Sequence, residues 1–189
     1  AQTPKLSKDN IEKVLQAMTL EEKASLLVGG EYDFWSTTAM AGNSSHTVPG
    51  AAGSTIAIPR LGIPETILTD GPAGVRINPT RPETNKTFYA TGFPVGSCIA
   101  ATWNTELAFK VGKAIGSEVK AYNCDVILGP GMNIHRNPLC GRNFEYYSED
   151  PLLTGKIASG YVKGVQNEGA GVSIKHFAVN SQETNRIFV

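Results

Sequence analysis

The order of apolar runs along this chain predicts an α/β fold, and within that class the N-terminal portion of a TIM-type (β/α)8 barrel with a helical lead-in. Three observations carry the prediction. From Thr66 onward, short apolar runs alternate with longer stretches of helical periodicity, the order of repeating βα units. Polar residues capable of chemistry sit just after several of the runs: Asp70, then Asn133 to Arg136, then Lys175 and His176. An open sheet would share the alternation, but polar residues after several different strands favour a barrel, whose site lies at the C-terminal ends of its strands. The 189 residues fall short of the roughly 250 of a complete barrel, so the chain is expected to hold only its first part.

The elements follow in order. Ser7 to Ala17 places Ile11, Val14, Leu15 and Met18 on one face of an amphipathic helix. Thr19 and Glu22 form a capping box for a second helix, with Leu20, Ala24 and Leu27 running to a stop at Gly29-Gly30. Glu31 to Arg60 is rich in Gly, Ser, Thr, Ala and Pro and reads as a long functional loop, in which Phe34 and Trp35 are expected to anchor the loop on the core more than to form a ligand platform. Residues 1–60 are thus a lead-in with an active-site loop, and 61–189 hold the first βα units. Strands are expected at Thr66 to Thr69, around Cys98 to Ala101, at Asp125 to Leu128 and at Gly171 to Ile174. Between them lie a helix bearing Leu107, Val111, Ile115, Val119 and Tyr122, and another opened by Asp150 as N-cap and Pro151 at its first position.

Composition removes several function classes. Seventeen basic residues balance seventeen acidic ones without a Lys/Arg cluster, which speaks against nucleic acid and anionic membranes as partners. No apolar run approaches the roughly 20 residues of a membrane span, so a soluble chain is expected. The opening AQTPKLSK is short, polar and Pro-containing, as after removal of a leader, and equally at a truncation boundary; a periplasmic or secreted location is the expectation. Cys98, Cys124 and Cys140 make neither a CxxC pair nor a framework and read as small core residues, with one bridge left open. There is no HExxH, GxGxxG or GxxxxGK pattern, so neither metal nor nucleotide cofactor is expected. The missing phosphate-cradling loop also sets aside a phosphosugar enzyme. His135 reads as structural, and His46 carries a weak signal.

Three segments carry the chemistry: TDGPAGVR (Thr69 to Arg76), GRNFEYYSEDP (Gly141 to Pro151) and KHFAVNSQETNR (Lys175 to Arg186). A pyranose presents neighbouring hydroxyls that both donate and accept. A carboxylate such as Asp70 accepts from two of them, while Arg142 and Lys175 donate to their oxygens. Such charge-assisted bonds are roughly twice as strong as neutral ones. Each residue also has a structural reading. Asp before Gly-Pro is a frequent turn former, and Arg142 could pair with Glu145 or Glu149 to pin its loop. Lys175 and His176 resist this, because adjacent residues of a strand point to opposite faces. An irregular, or cis, peptide is expected to turn both into the site.

In this order, from RLGIPETILTDGPAGVR to the end, the segments resemble glycoside hydrolase family 3 of the β-glucosidase type. The resemblance implies that Asp70, Arg142, Lys175 and His176 hold the sugar hydroxyls at the −1 subsite, and that Arg186 is a further substrate-site arginine. It implies removal of terminal β-linked glucose with retention, without cofactor, from a β-glucoside or oligosaccharide. A retaining glycosidase needs two carboxyls roughly 5–5.5 Å apart. The family's nucleophile and acid/base motifs do not occur before Val189, so Asp125, Glu145 and Glu183 are not given these roles, and the remaining part of the same enzyme is the expected partner. β-Xylosidase is the nearest rival, and a non-catalytic carbohydrate-binding fragment is a rival of another class. AVNSQETNR lacks the His-bearing loop of the family's N-acetylglucosaminidases.

Overall fold

The computed structural model describes residues 3–28 and 47–188. Phe34, Trp35, His46 and the Gly29-Gly30 stop lie outside them. Helix α1 is Ile11–Ala17, starting later than the periodicity from Ser7 suggests. The reason is Asn10, whose side chain accepts from the Ser7 amide (2.8 Å) and donates to the Lys5 carbonyl (2.6 Å), holding Ser7 to Asn10 as a turn. Helix α2, Leu20–Val28, begins with the expected capping box. Glu22 accepts from the Thr19 amide at 2.9 Å and Thr19 Oγ1 from the Glu22 amide at 3.2 Å. Arg60 clamps this lead-in to the body through Glu22 and the Ala17 carbonyl (2.8 Å).

The sheet has the order β1-β2-β3-β4. Strands β2 (Ile67–Asp70), β3 (Val126–Leu128) and β4 (Gly171–Val172) run parallel. Strand β1, Gly53–Ser54, pairs antiparallel with β2 from inside the stretch read as loop, too short to leave an alternating pattern. Asp70 lies opposite Leu128. Past β4, the Lys175 amide donates to the Pro130 carbonyl (3.1 Å) and the Met132 amide to the Lys175 carbonyl (2.9 Å), extending the pairing toward the strand ends. Asp125 fastens the other end, donating its amide to the Ile67 carbonyl and accepting the Ile67 amide on Oδ2 (2.8 Å).

One expected strand is a helix. Cys98 to Ala101 belongs to α3, Gly96–Ala101, which buries Ile99 and Ala100. Four apolar residues do not distinguish the two states by period, and the alanines of SCIAA favour helix. The backbone turns at Val95, whose carbonyl accepts from the Cys98 and Ile99 amides. Helix α4 (Thr105–Ala121) is capped by Asn104, which accepts from the Leu107 amide at 2.9 Å. Helix α5 (Pro151–Asn167) is capped by Asp150, which accepts from the Leu152 amide at 2.8 Å. Both cover one face of the sheet, where Ile115, Val119, Ile127, Tyr161 and Val165 are fully buried. All three cysteines are free, Cys98 exposed and Cys124 and Cys140 buried. Among the described residues no helix is long and apolar enough to cross a membrane.

The two helices touch backbone to backbone. A Cβ on Gly112 would meet the Tyr161 carbonyl at 2.2 Å, and one on Gly164 the Phe109 carbonyl at 2.2 Å. Gly155, also on α5, faces open space. Gly112→Ala should therefore destabilise by about 2 kcal/mol despite alanine's higher helix propensity, because α4 and α5 must separate. Gly155→Ala should stabilise by up to about 1 kcal/mol. Denaturant melts of both variants check the contrast; equal effects would remove the close crossing.

Candidate active site

The parallel strands end on one rim, and the loops that leave it carry the charged groups. After β2 the chain turns sharply. Gly71 and Gly74 have φ of +127° and +135°, and a Cβ on Gly71 would lie 1.6 Å from the Gly74 carbonyl, so only glycine fits there. Backbone atoms close the turn: the Arg76 amide donates to the Asp70 carbonyl (3.0 Å), and Thr69 Oγ1 donates to the Arg76 carbonyl (2.8 Å). The Asp70 carboxylate is not needed for this turn. It receives Lys175 Nζ at 2.7 Å, a contact between residues 105 apart in sequence, with Arg76 at 4.0 Å.

Asp70, Arg142 and Lys175 line one cavity of about 330 Å³, together with Phe144, Glu145 and Val95. Arg142 enters it from the loop after β3, at the 3₁₀ turn Asn143–Glu145. Its Nε donates to Glu145 Oε1 at 2.5 Å, and Glu183 Oε1 lies 3.9 Å away. The loop-pinning pair and the cavity position thus coexist. Burial disfavours the Arg142 charge, but the bond to Glu145 together with the charges of Glu145 and Glu183 outweighs it and holds the guanidinium above its ordinary pKa.

The Lys175–His176 peptide is cis, as is Phe177–Ala178, and the two neighbouring side chains serve different partners. Lys175 reaches Asp70, whereas His176 stands behind Arg142, with Nε2 2.6 Å from a guanidinium nitrogen and Nδ1 2.8 Å from the Tyr146 hydroxyl. Asn133 grips the His176 backbone from both sides, accepting its amide at 2.7 Å and donating to its carbonyl at 3.1 Å. Burial first, and then the Arg142 charge, hold the imidazole below its ordinary pKa. Arg186 does not line the cavity. It is largely exposed and donates to Glu183 Oε2 at 2.9 Å. Burial would raise the Glu183 carboxyl, but hydrogen bonds from Asn180 and Arg186 prevail and hold it below the usual range.

The sequence marks Asn133 only as a polar residue after a strand and does not single out Tyr146 or Asn180; all three position the site from its edge. Tyr146 is fully buried and reads from sequence as plain core. The available signal is a hydroxyl or amide at each flank of the two charged motifs. His135 lines a separate cleft of about 610 Å³ with Trp103 and Arg136. Among the described residues, no group of three or more His, Cys, Asp or Glu could hold a metal ion. The cavity brings together two carboxylates, Asp70 and Glu145, and two cationic donors, Arg142 and Lys175, in the volume range of roughly 300–1,000 Å³ of small-molecule pockets.

Two outcomes follow. Glu145→Ala should cost about 2 kcal/mol in a denaturant melt, since it removes a hydrogen bond to a charged group and leaves the part-buried Arg142 with Glu183 at 3.9 Å; a loss below about 1 kcal/mol would show the pair to be screened. His176 has a folded pKa below its ordinary 6.5. Its contribution to stability is therefore present above that value and is lost as pH falls, because the unfolded chain takes up the proton first. Relative to His176→Gln, the unmutated protein should lose stability on acidification from about pH 6.5 downward. Parallel stability curves for the two would contradict the depressed pKa.

The relatives place this geometry. The model of the glycosyl hydrolase family 3 N terminal domain matches residues 56–185. The thermostable beta-glucosidase B of Acetivibrio thermocellus is 45% identical over 183 residues, covering 95% of this chain and 22% of that protein. An exo-alpha-(1->6)-L-arabinopyranosidase of Bifidobacterium longum is 44% identical over 176 residues, covering 91% of this chain and 21% of the relative. The beta-glucosidase 3B of Thermotoga neapolitana in complex with alpha-D-glucose superimposes with a TM-score of 0.83 at 54% identity, over 93% of this chain and 24% of the other. The chain thus spans about a fifth to a quarter of the length of the relatives it matches. The chain belongs to glycosyl hydrolase family 3, and its α/β fold is the N-terminal portion of that family's TIM-type barrel.

Proposed function

We propose that this chain supplies the sugar-gripping −1 subsite of a retaining β-glucosidase, with Asp70, Arg142 and Lys175 binding the ring hydroxyls and His176 holding Arg142 in place. The observation that carries the reading is the convergence of those three charged groups, from the end of β2 and the segments that follow β3 and β4, on one cavity of about 330 Å³. Relatives named as β-glucosidases, one of them solved with glucose, support it. Arg186 joins the substrate only if the 181–188 segment shifts toward the cavity.

The chemistry is differential grip. Lys175 and Asp70 satisfy each other directly, and an incoming pair of vicinal hydroxyls replaces that contact with charge-assisted bonds. Bonds that tighten as the ring flattens toward an oxocarbenium ion lower the barrier, whereas equal binding of ground and transition states would not. Both carboxylates lining the cavity are committed, Asp70 to Lys175 and Glu145 to Arg142. Neither suits a nucleophile or an acid/base, so those two groups are assigned to the remaining part of the enzyme.

A second reading has one observation behind it, the arabinopyranosidase at 44% identity. The complete enzyme should be assayed on aryl β-D-glucoside, β-D-xyloside and α-L-arabinopyranoside. The highest kcat/KM on the glucoside is expected; a pentopyranoside in first place would transfer the site to that sugar. Asp70→Ala should lower kcat/KM by about a thousandfold through loss of two hydrogen bonds to a charged group. A drop below tenfold, with the melting temperature retained, would remove Asp70 from the subsite.

A further inference from the structure

Resting on the glycosidase reading above, we propose that Tyr146 is a positioning residue whose hydroxyl fixes the proton arrangement of His176 and so aims Arg142 at the sugar. The argument starts from what each group can do. A guanidinium only donates, so the His176 nitrogen 2.6 Å from Arg142 must present a lone pair. The neutral ring then carries its single proton on Nδ1, and that proton points at the Tyr146 oxygen 2.8 Å away. The same oxygen accepts from Asn180 Nδ2 at 2.6 Å, and the Asn180 amide also donates to Glu183 at 3.1 Å. Tyr146 is thereby a double acceptor joining the loop after β3 to the segment after β4.

Its setting leaves little freedom. The residue has no exposed surface, and its amide donates to the Asn143 carbonyl (3.0 Å), so the ring is fixed by the same turn that presents Arg142. The His176 ring meets it edge to face at 5.8 Å between centroids, and His135 lies at 6.5 Å on another side. Charged groups bear on His176 from every neighbouring element: Arg142 and Glu145 from the 3₁₀ turn, Lys175 from its own segment, and Asp70 from the end of β2. Without the hydroxyl, the Nδ1 proton loses its acceptor and Arg142 alone opposes its transfer. Transfer to Nε2 would set N–H against N–H at Arg142 and turn the guanidinium away.

The test uses the complete enzyme and its Tyr146→Phe variant, with two readouts. On histidine-¹⁵N-labelled protein, solid-state NMR should show His176 protonated at Nδ1, with a substantial Nε2–H fraction appearing in the variant; Nε2–H in the unmutated protein would overturn the proposal whether or not the enzyme is active. In kinetics on an aryl β-glucoside, the variant should lose about tenfold in kcat/KM while still unfolding cooperatively, at a melting temperature lowered by the buried donors left unpaired. In a His176→Ala background the same change should cost less than twofold. A tenfold penalty that persists there means that Tyr146 acts by packing alone, and the inference fails. If Tyr146→Phe does not fold, Asn180→Ala removes the other bond from outside the core and should cost about threefold by the same reasoning; no change would count against the network. An unmutated enzyme that ignores glucosides overturns the glucosidase reading, whereas an active one with an indifferent Tyr146→Phe overturns only this inference.

Discussion

Parallel registration of three short strands is the constraint on which the rest depends. With Asp70 opposite Leu128, and Lys175 bonded to Pro130 and Met132, the ends of β2, β3 and β4 fall on a common rim. Parallel neighbours require crossovers, and α4 and α5 supply them at a separation that glycines at their crossing permit. Asp125 ties the starts of β2 and β3 together, so a slip in register would break a side-chain bond as well as the ladder. Residues more than a hundred positions apart then meet as neighbours, which is how Asp70 and Lys175 come to share a proton-rich contact.

Electrostatics decides what that rim can do. Each cation at the cavity has its own carboxylate, Lys175 with Asp70 and Arg142 with Glu145, and Glu183 closes the outer side against Arg186. A pocket so balanced suits a neutral polyhydroxyl ligand better than an anion, because the sugar finds both donors and acceptors without leaving a buried charge unpaired. Among the described residues that line this cavity, no carboxylate is left uncommitted.

Much of the lead-in and of the helices was legible because local chemistry wrote them. Thr19 with Glu22, and Asp150 with Pro151, are helix starts whose bonds form between near neighbours. The stripe from Leu107 to Tyr122 is long enough for its period to be unambiguous. SCIAA was read as a strand because four apolar residues carry no period, and β1 was missed because two residues carry no alternation. Asp70, Arg142 and Lys175 stood out as charges beside Gly or at strand ends. Tyr146 and Asn180 did not, since a buried tyrosine in EYYS looks like core and an asparagine in a polar segment looks like a turn, and Asn133 stood out only as a polar residue after a strand. Their roles exist only once the loop after β3 is folded against the segment after β4.

The most direct test of the central claim is a crystal structure of the complete enzyme with bound glucose. The account predicts the pyranose in the cavity bounded by Asp70, Arg142 and Lys175, with two neighbouring hydroxyls donating to the Asp70 carboxylate and both cations within hydrogen-bond distance of hydroxyl oxygens. Glucose seated elsewhere, with Lys175 still closed on Asp70 and the cavity untouched, would contradict it.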